Sequence, residues 1–184
     1  MVGGGRAGGE TRWADEPDHQ EREHIMKTIS HWIDGRVVES TSGNSPPVFD
    51  PASGEQTGSA DLASVAEVDA AVAAAKAAFP EWRSSSLSKR AEVMFRLREL
   101  VDANRKEIAS LVTAEHGKVL SDALGEVARG LENVEFACGI PQLIKGDYSE
   151  QAAGGIDVYS IRQPLGVVAG ITPFNFPAMV PMWM

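Results

Sequence analysis

The chain of 184 residues carries a net charge of −9, with 43% hydrophobic and 23% charged residues, and is long enough to bury one ordinary core. The acidic balance argues against nucleic acid or an anionic membrane as a partner, and no apolar run approaches the roughly 18 residues of a membrane span. The single cysteine, Cys138, excludes an internal disulfide and fits a reducing, cytoplasmic compartment, while His19, His24, His31 and His116 show no metal-ligand spacing.

In chain order, residues 1–25 are Gly-rich and then acidic, and they read as a disordered tail in which His19 and His24 are solvated. The tail has no apolar stretch of a secretory signal, and its acids argue against a transit peptide. Met26 is an alternative start, because it opens directly onto patterned sequence. Residues 28–33 form a strand candidate, and Asp34-Gly35 before Arg36-Val37-Val38 predicts a hairpin whose tight turn needs positive φ. Residues 48–55 read as a strand end and turn punctuated by Pro51 and Gly54.

Three helices follow. Ser64-Val65-Ala66-Glu67 is a capping box. Behind it Val65, Val68, Val72, Ala75 and Phe79 keep helical spacing up to Pro80, the expected stop. A second helix is expected over 88–115, with Gly117 capping its end. The third carries the seam Leu120, Leu124, Val127, Leu131, Val134 and Cys138, and Pro141 is its expected end. Residues 146–162 turn extended about Gly154-Gly155 and read as a projecting strand pair.

The run 165–171 is apolar and of strand length. It ends abruptly in Thr172-Pro173-Phe174-Asn175-Phe176-Pro177, followed by an apolar segment, 178–184, that can start a helix. A buried strand, a sharp turn and a helix entry is where α/β enzymes place ligands. The Asn175 amide at that bend is a neutral donor, able to stabilise a developing oxyanion. Asparagine also suits a turn for its geometry alone.

The turn Asp50-Pro51-Ala52-Ser53-Gly54-Glu55, the helix end Glu115-His116-Gly117-Lys118, and Pro164-Leu165-Gly166-Val167-Val168 through Phe174-Asn175-Phe176-Pro177 resemble the aldehyde dehydrogenase superfamily. Ile29-Ser30-His31-Trp32-Ile33-Asp34-Gly35, Gly125-Glu126-Val127-Ala128-Arg129-Gly130-Leu131-Glu132 and the run from Ile171 to Pro181 are similar to its CoA-acylating methylmalonate-semialdehyde dehydrogenase branch. The resemblance covers about residues 26–184 and implies an α/β fold cut short. It would comprise an N-terminal hairpin and helices, the projecting segment 146–162 that helps build a homo-oligomer, and the first strand of a Rossmann-like cofactor domain. The catalytic domain would be absent.

The resemblance implies NAD as cofactor and coenzyme A as co-substrate. Malonate or methylmalonate semialdehyde would be oxidised and would lose its carboxylate, giving acetyl-CoA or propionyl-CoA, as in valine, thymine and inositol breakdown. Asn175 matches the oxyanion-hole asparagine that stabilises the adduct of a cysteine thiolate. Thr172 and Phe174 match positions that touch NAD, which explains why no Gly-x-Gly-x-x-Gly loop is present; the alternative for Phe174 is a core-filling side chain. Arg129 lies two residues beyond the seam position Val127, about 200° around the helix, and so faces away from the core. The resemblance makes it the receptor for the substrate carboxylate; the alternative is a solvated arginine paired with Glu132.

Cys138 continues the apolar seam and is not expected to be the nucleophile. The nucleophile is expected outside this sequence, which leaves the 184 residues inactive alone. His116 is expected to meet the last carbonyls of its helix, and Trp183 and its neighbouring methionines to face the core. The alternatives are a hydrolytic aldehyde dehydrogenase, or a non-catalytic remnant whose unfinished sheet exposes an apolar edge at 165–171.

Overall fold

The computed structural model describes residues 26–184, and the expected tail, 1–25, lies outside them. The expected first strand is divided at Ser30 into β1 (Lys27–Ile29) and β2 (His31–Ile33). The cause is Asp61, which accepts the Ser30 hydroxyl at 2.9 Å and the Ser40 amide at 3.1 Å, turning the chain between two sheets. β2 pairs antiparallel with β3 (Arg36–Val38) across Asp34 and Gly35, at φ 54° and 72°, the positive-φ turn the sequence predicts.

β4 (Pro47–Phe49) leads into the turn at Asp50, whose carboxylate accepts the Ala52 and Ser53 amides while Gly54 takes φ 75°. β5 (Gln56–Ala60) then joins β4 antiparallel and β1 parallel. Nothing in the pattern Gln-Thr-Gly-Ser-Ala announces β5. Gly58 makes the parallel pairing possible, because a Cβ there would collide with the Lys27 carbonyl.

α1 (Val65–Ser84) opens on the predicted capping box, with both reciprocal bonds formed. It does not stop at Pro80. Proline removes one backbone donor, but its fixed φ is helical, and the turn after it closes through the Ser85 amide on Glu81 and Trp82. The stripe Val65, Val68 and Val72 is exposed.

The single helix expected over 88–115 is two, α2 (Leu87–Ala103) and α3 (Arg105–His116). Asn104 breaks it at φ −105°, ψ 14°, its side-chain amide donating to the Leu100 carbonyl at 2.7 Å. Gly117 caps α3 in the left-handed conformation, φ 86°, as expected.

α4 (Leu120–Cys138) packs on α2 and α3. Val127 and Leu131 meet Val101 of α2 and Ala109 and Val112 of α3, and this is the core. The expected seam is rotated slightly: Leu120 is exposed and Cys138 half-buried, while Ala123, Glu126 and Gly130 are buried. α4 ends at Gly139 and not at Pro141, which sits in the first turn of α5 (Ile140–Leu143), where no amide is needed.

β6 (Tyr148–Ala153) and β7 (Ile156–Tyr159) form the predicted hairpin, exposed along its whole length. Residues 165–171 depart from expectation, since they form no strand and Leu165 and Ile171 are 95% and 94% exposed. A strand of this pattern needs hydrogen-bonded neighbours, and none of the described strands lies beside it. α6 (Met179–Trp183) docks on α4 through Met179 and Met182, whereas Trp183 and the neighbouring Met184, expected in the core, are 53% and 71% exposed. Gly130 permits that approach: a Cβ there would sit 2.9 Å from Met182 Sδ and 3.2 Å from Met179 Cα.

Candidate functional site

The Asn175 turn is fastened to α4 by an ion pair that the sequence reading overlooks. Gly117 reverses the chain between α3 and α4, so Lys118 faces the first turns of α4. Lys118 Nζ donates to Glu126 Oε2 at 2.6 Å and to the Asn175 carbonyl at 2.9 Å. The other carboxylate oxygen of Glu126 accepts the Ala178 and Met179 amides at 2.7 and 3.1 Å.

Ala178 offers no side-chain cap, so a carboxylate from another helix satisfies the orphan donors at the start of α6. The Glu126 side chain is wholly buried and that of Lys118 is 12% exposed. Burial by itself would raise the Glu126 pKa. The Lys118 ammonium and the two amides outweigh it and hold the carboxyl below its ordinary value.

This clamp fixes the backbone of the turn and leaves its functional groups open. Asn175 and Arg129 line one hollow of about 360 Å³ together with Lys118, Ser121, Asp122, Gly125 and Phe176. Both cations stand over the Phe176 ring, Lys118 Nζ at 4.7 Å and Arg129 Cζ at 5.9 Å from its centre. Among the described residues the Asn175 side-chain amide has no hydrogen-bond partner and Arg129 no ion pair. The alternative contact of Arg129 with Glu132 is not formed. The hollow therefore presents a neutral donor and a cation, with the Asp122 carboxylate also on its wall; the donor and Arg129 together suit a molecule with a polarisable carbonyl and a carboxylate.

Thr172 and Phe174 are exposed on the segment leading to the turn and do not line this hollow. Cys138 is also apart from it. Its thiol donates to the Val134 carbonyl at 3.4 Å. His116 does not meet its helix carbonyls through Nδ1, which is buried without a partner; the Gly117 amide takes the Thr113 carbonyl instead. Among the described residues no cluster of His, Cys, Asp or Glu could hold a metal, and no helix is long and apolar enough to cross a membrane.

Lys118 and Glu126 were findable in part. Glu126 follows Ala123 by three residues and precedes Val127, which puts a carboxylate on the buried stripe of α4, where it requires a partner. Which partner could not be read, because Lys118 and Ala178 meet it only through the fold.

Residues 37–184 match the model of the aldehyde dehydrogenase family. The chain is 49% identical over 159 residues to a malonate-semialdehyde dehydrogenase of Pseudomonas aeruginosa, which covers 86% of this chain and 32% of that one. The crystal structure of a methylmalonate-semialdehyde dehydrogenase from Oceanimonas doudoroffii superposes with a TM-score of 0.82 at 53% identity, covering 86% of this chain and 32% of that one. A Sinorhizobium meliloti structure complexed with NAD gives 0.83 at 49% identity, covering 87% and 33%. The chain thus spans about a third of the length of the proteins it resembles.

Proposed function

The chain belongs to the aldehyde dehydrogenase family, and on that premise we propose that it forms part of an NAD-dependent, CoA-acylating dehydrogenase of malonate or methylmalonate semialdehyde. The observation that carries the proposal is the sharing of one hollow by Asn175 and Arg129, which among the described residues have no side-chain amide partner and no ion pair respectively. A semialdehyde has one end for each. Its carbonyl oxygen gains negative charge as a nucleophile adds, and the Asn175 amide donates to it. Its carboxylate takes parallel hydrogen bonds from Arg129. Lys118 and Glu126 hold the turn so that the amide is aimed before substrate arrives, which is what makes such a donor effective.

The segment carrying Thr172 and Phe174 is exposed and outside any strand pairing. That fits a cofactor held largely through main-chain atoms there. NAD, when bound, accepts the hydride released as the aldehyde carbon is oxidised. Loss of the carboxylate and transfer of the acyl group to coenzyme A would give acetyl-CoA or propionyl-CoA. Cys138, committed to Val134 in the half-buried end of α4, is not the nucleophile, so that thiolate is assigned to sequence other than these 184 residues. The exposed β6–β7 hairpin supports a role for 146–162 in homo-oligomer formation.

The test is NADH formation from malonate semialdehyde, with and without coenzyme A, by the protein purified from its native source, with intact mass read in parallel. CoA-dependent NADH formation is expected. NADH formation indifferent to coenzyme A would make the enzyme hydrolytic, and a polypeptide of this chain's mass with no activity would make it a non-catalytic remnant.

A further inference from the structure

A second cluster of charge lies where the start of α2 meets the chain flanking the β6–β7 hairpin. Two adjoining hollows, of about 400 and 380 Å³, share Arg90, Ile144, Ile161 and Arg162 as walls. Arg83 lines the first and Lys145 the second. Among the described residues no Asp or Glu lines either, in a chain whose net charge is −9. Among the described residues none of these cations forms an ion pair, and Arg90 Nε is buried without a hydrogen-bond partner. Like charges gathered at one depression repel, and a buried guanidinium N–H without an acceptor is costly. Both penalties are relieved by an anion.

We infer that these hollows form a binding site for a phosphate or diphosphate group, gripped by Arg83, Arg90 and Arg162 with Lys145 at the edge. The charge count favours phosphate over a lone carboxylate, which could neutralise only one of the cations. Guanidinium forks match phosphate oxygens, and the apolar wall of Ile144, Ile161 and Pro164 limits competing water. The site is separate from the Asn175 hollow, shares no lining residue with it, and rests on none of the aldehyde chemistry.

The test is calorimetric titration of the 184-residue chain with sodium pyrophosphate, and separately with ADP, at fixed ionic strength. Saturable one-to-one binding of pyrophosphate alone assigns a free anion, and binding of both assigns a diphosphate carried on a nucleotide. Arg90→Gln and Arg162→Gln are each expected to weaken binding about tenfold with an unchanged circular dichroism spectrum, and Lys106→Gln, on α3 and outside the site, to leave it unchanged. Should Arg90→Gln unfold the chain, Arg162→Gln carries the test, since Arg162 is exposed and outside any helix or strand. The proposal is overturned if neither ligand binds saturably, or if a folded Arg162→Gln chain binds as tightly as the parent.

Discussion

Replacing Glu126 by alanine removes the clamp under the Asn175 turn. The loss has three parts: the 2.6 Å pair with Lys118, the cap on the Ala178 and Met179 amides, and the volume of a wholly buried side chain. Lys118 is left nearly buried, with only the Asn175 carbonyl and the Phe176 ring as partners. Removing one member of a buried pair costs about 3–5 kcal/mol, much of it the uncompensated charge that stays behind. Glu126→Gln keeps an acceptor for α6 but turns its NH2 donor toward Lys118, so both the charge and the Lys118 bond are lost, and a cost at the lower end of that range, about 3 kcal/mol, is expected.

Urea unfolding followed by circular dichroism measures both, and hydrogen exchange at the Val180 amide, bonded to the Phe176 carbonyl, reports the start of α6 directly. Joint replacement of Lys118 and Glu126 by methionine should recover much of the loss, because no charge is left unpaired. A Glu126→Ala protein within 0.5 kcal/mol of the parent, with unchanged exchange at Val180, would refute the clamp.

Further predictions follow from the same geometry. The Ser64 and Thr41 amides, each at 2.6 Å, hold the Glu67 carboxyl at about 2, against an ordinary 4.5. A carboxylate depressed on folding stabilises above its unfolded value, so its contribution should be lost as pH falls from about 4.5 to about 2, and Glu67→Gln should flatten that part of an acid-unfolding curve. Asn175→Ala should lower turnover about 10²–10³-fold in the CoA-dependent assay at unchanged melting temperature, since among the described residues its side chain holds no bond; an unaffected turnover would return the residue to a turn-forming role. Arg129→Gln should raise KM for the semialdehyde about tenfold or more while leaving an aldehyde without a carboxylate unaffected. Gly58→Ala should cost about 1–3 kcal/mol by driving β1 from β5, read by thermal unfolding.

What was legible in the sequence was local. The Asp34-Gly35 turn, the Ser64–Glu67 box, the Gly117 cap and the β6–β7 hairpin are each set by a few neighbouring residues whose backbone preferences leave little choice, and all four formed. The helical period of α4 was equally plain, and with it the outward position of Arg129. Resemblance in the Phe174-Asn175-Phe176-Pro177 run singled out the asparagine. Tertiary structure decided what depends on partners distant in the chain. β5 has no apolar alternation and exists because Gly58 admits Lys27. α2 and α3 share one hydrophobic period because both pack on α4, which hid the break at Asn104. The run 165–171 carries the composition of a buried strand and stays exposed, since a strand is stabilised by the ladder beside it. Glu126 lies 53 residues from the Met179 amide it accepts and Lys118 57 residues from the Asn175 carbonyl, so no local pattern could pair them. The need to satisfy a buried carboxylate and the free amides of a helix start brings them together, and that need arises only once α6 lies on α4.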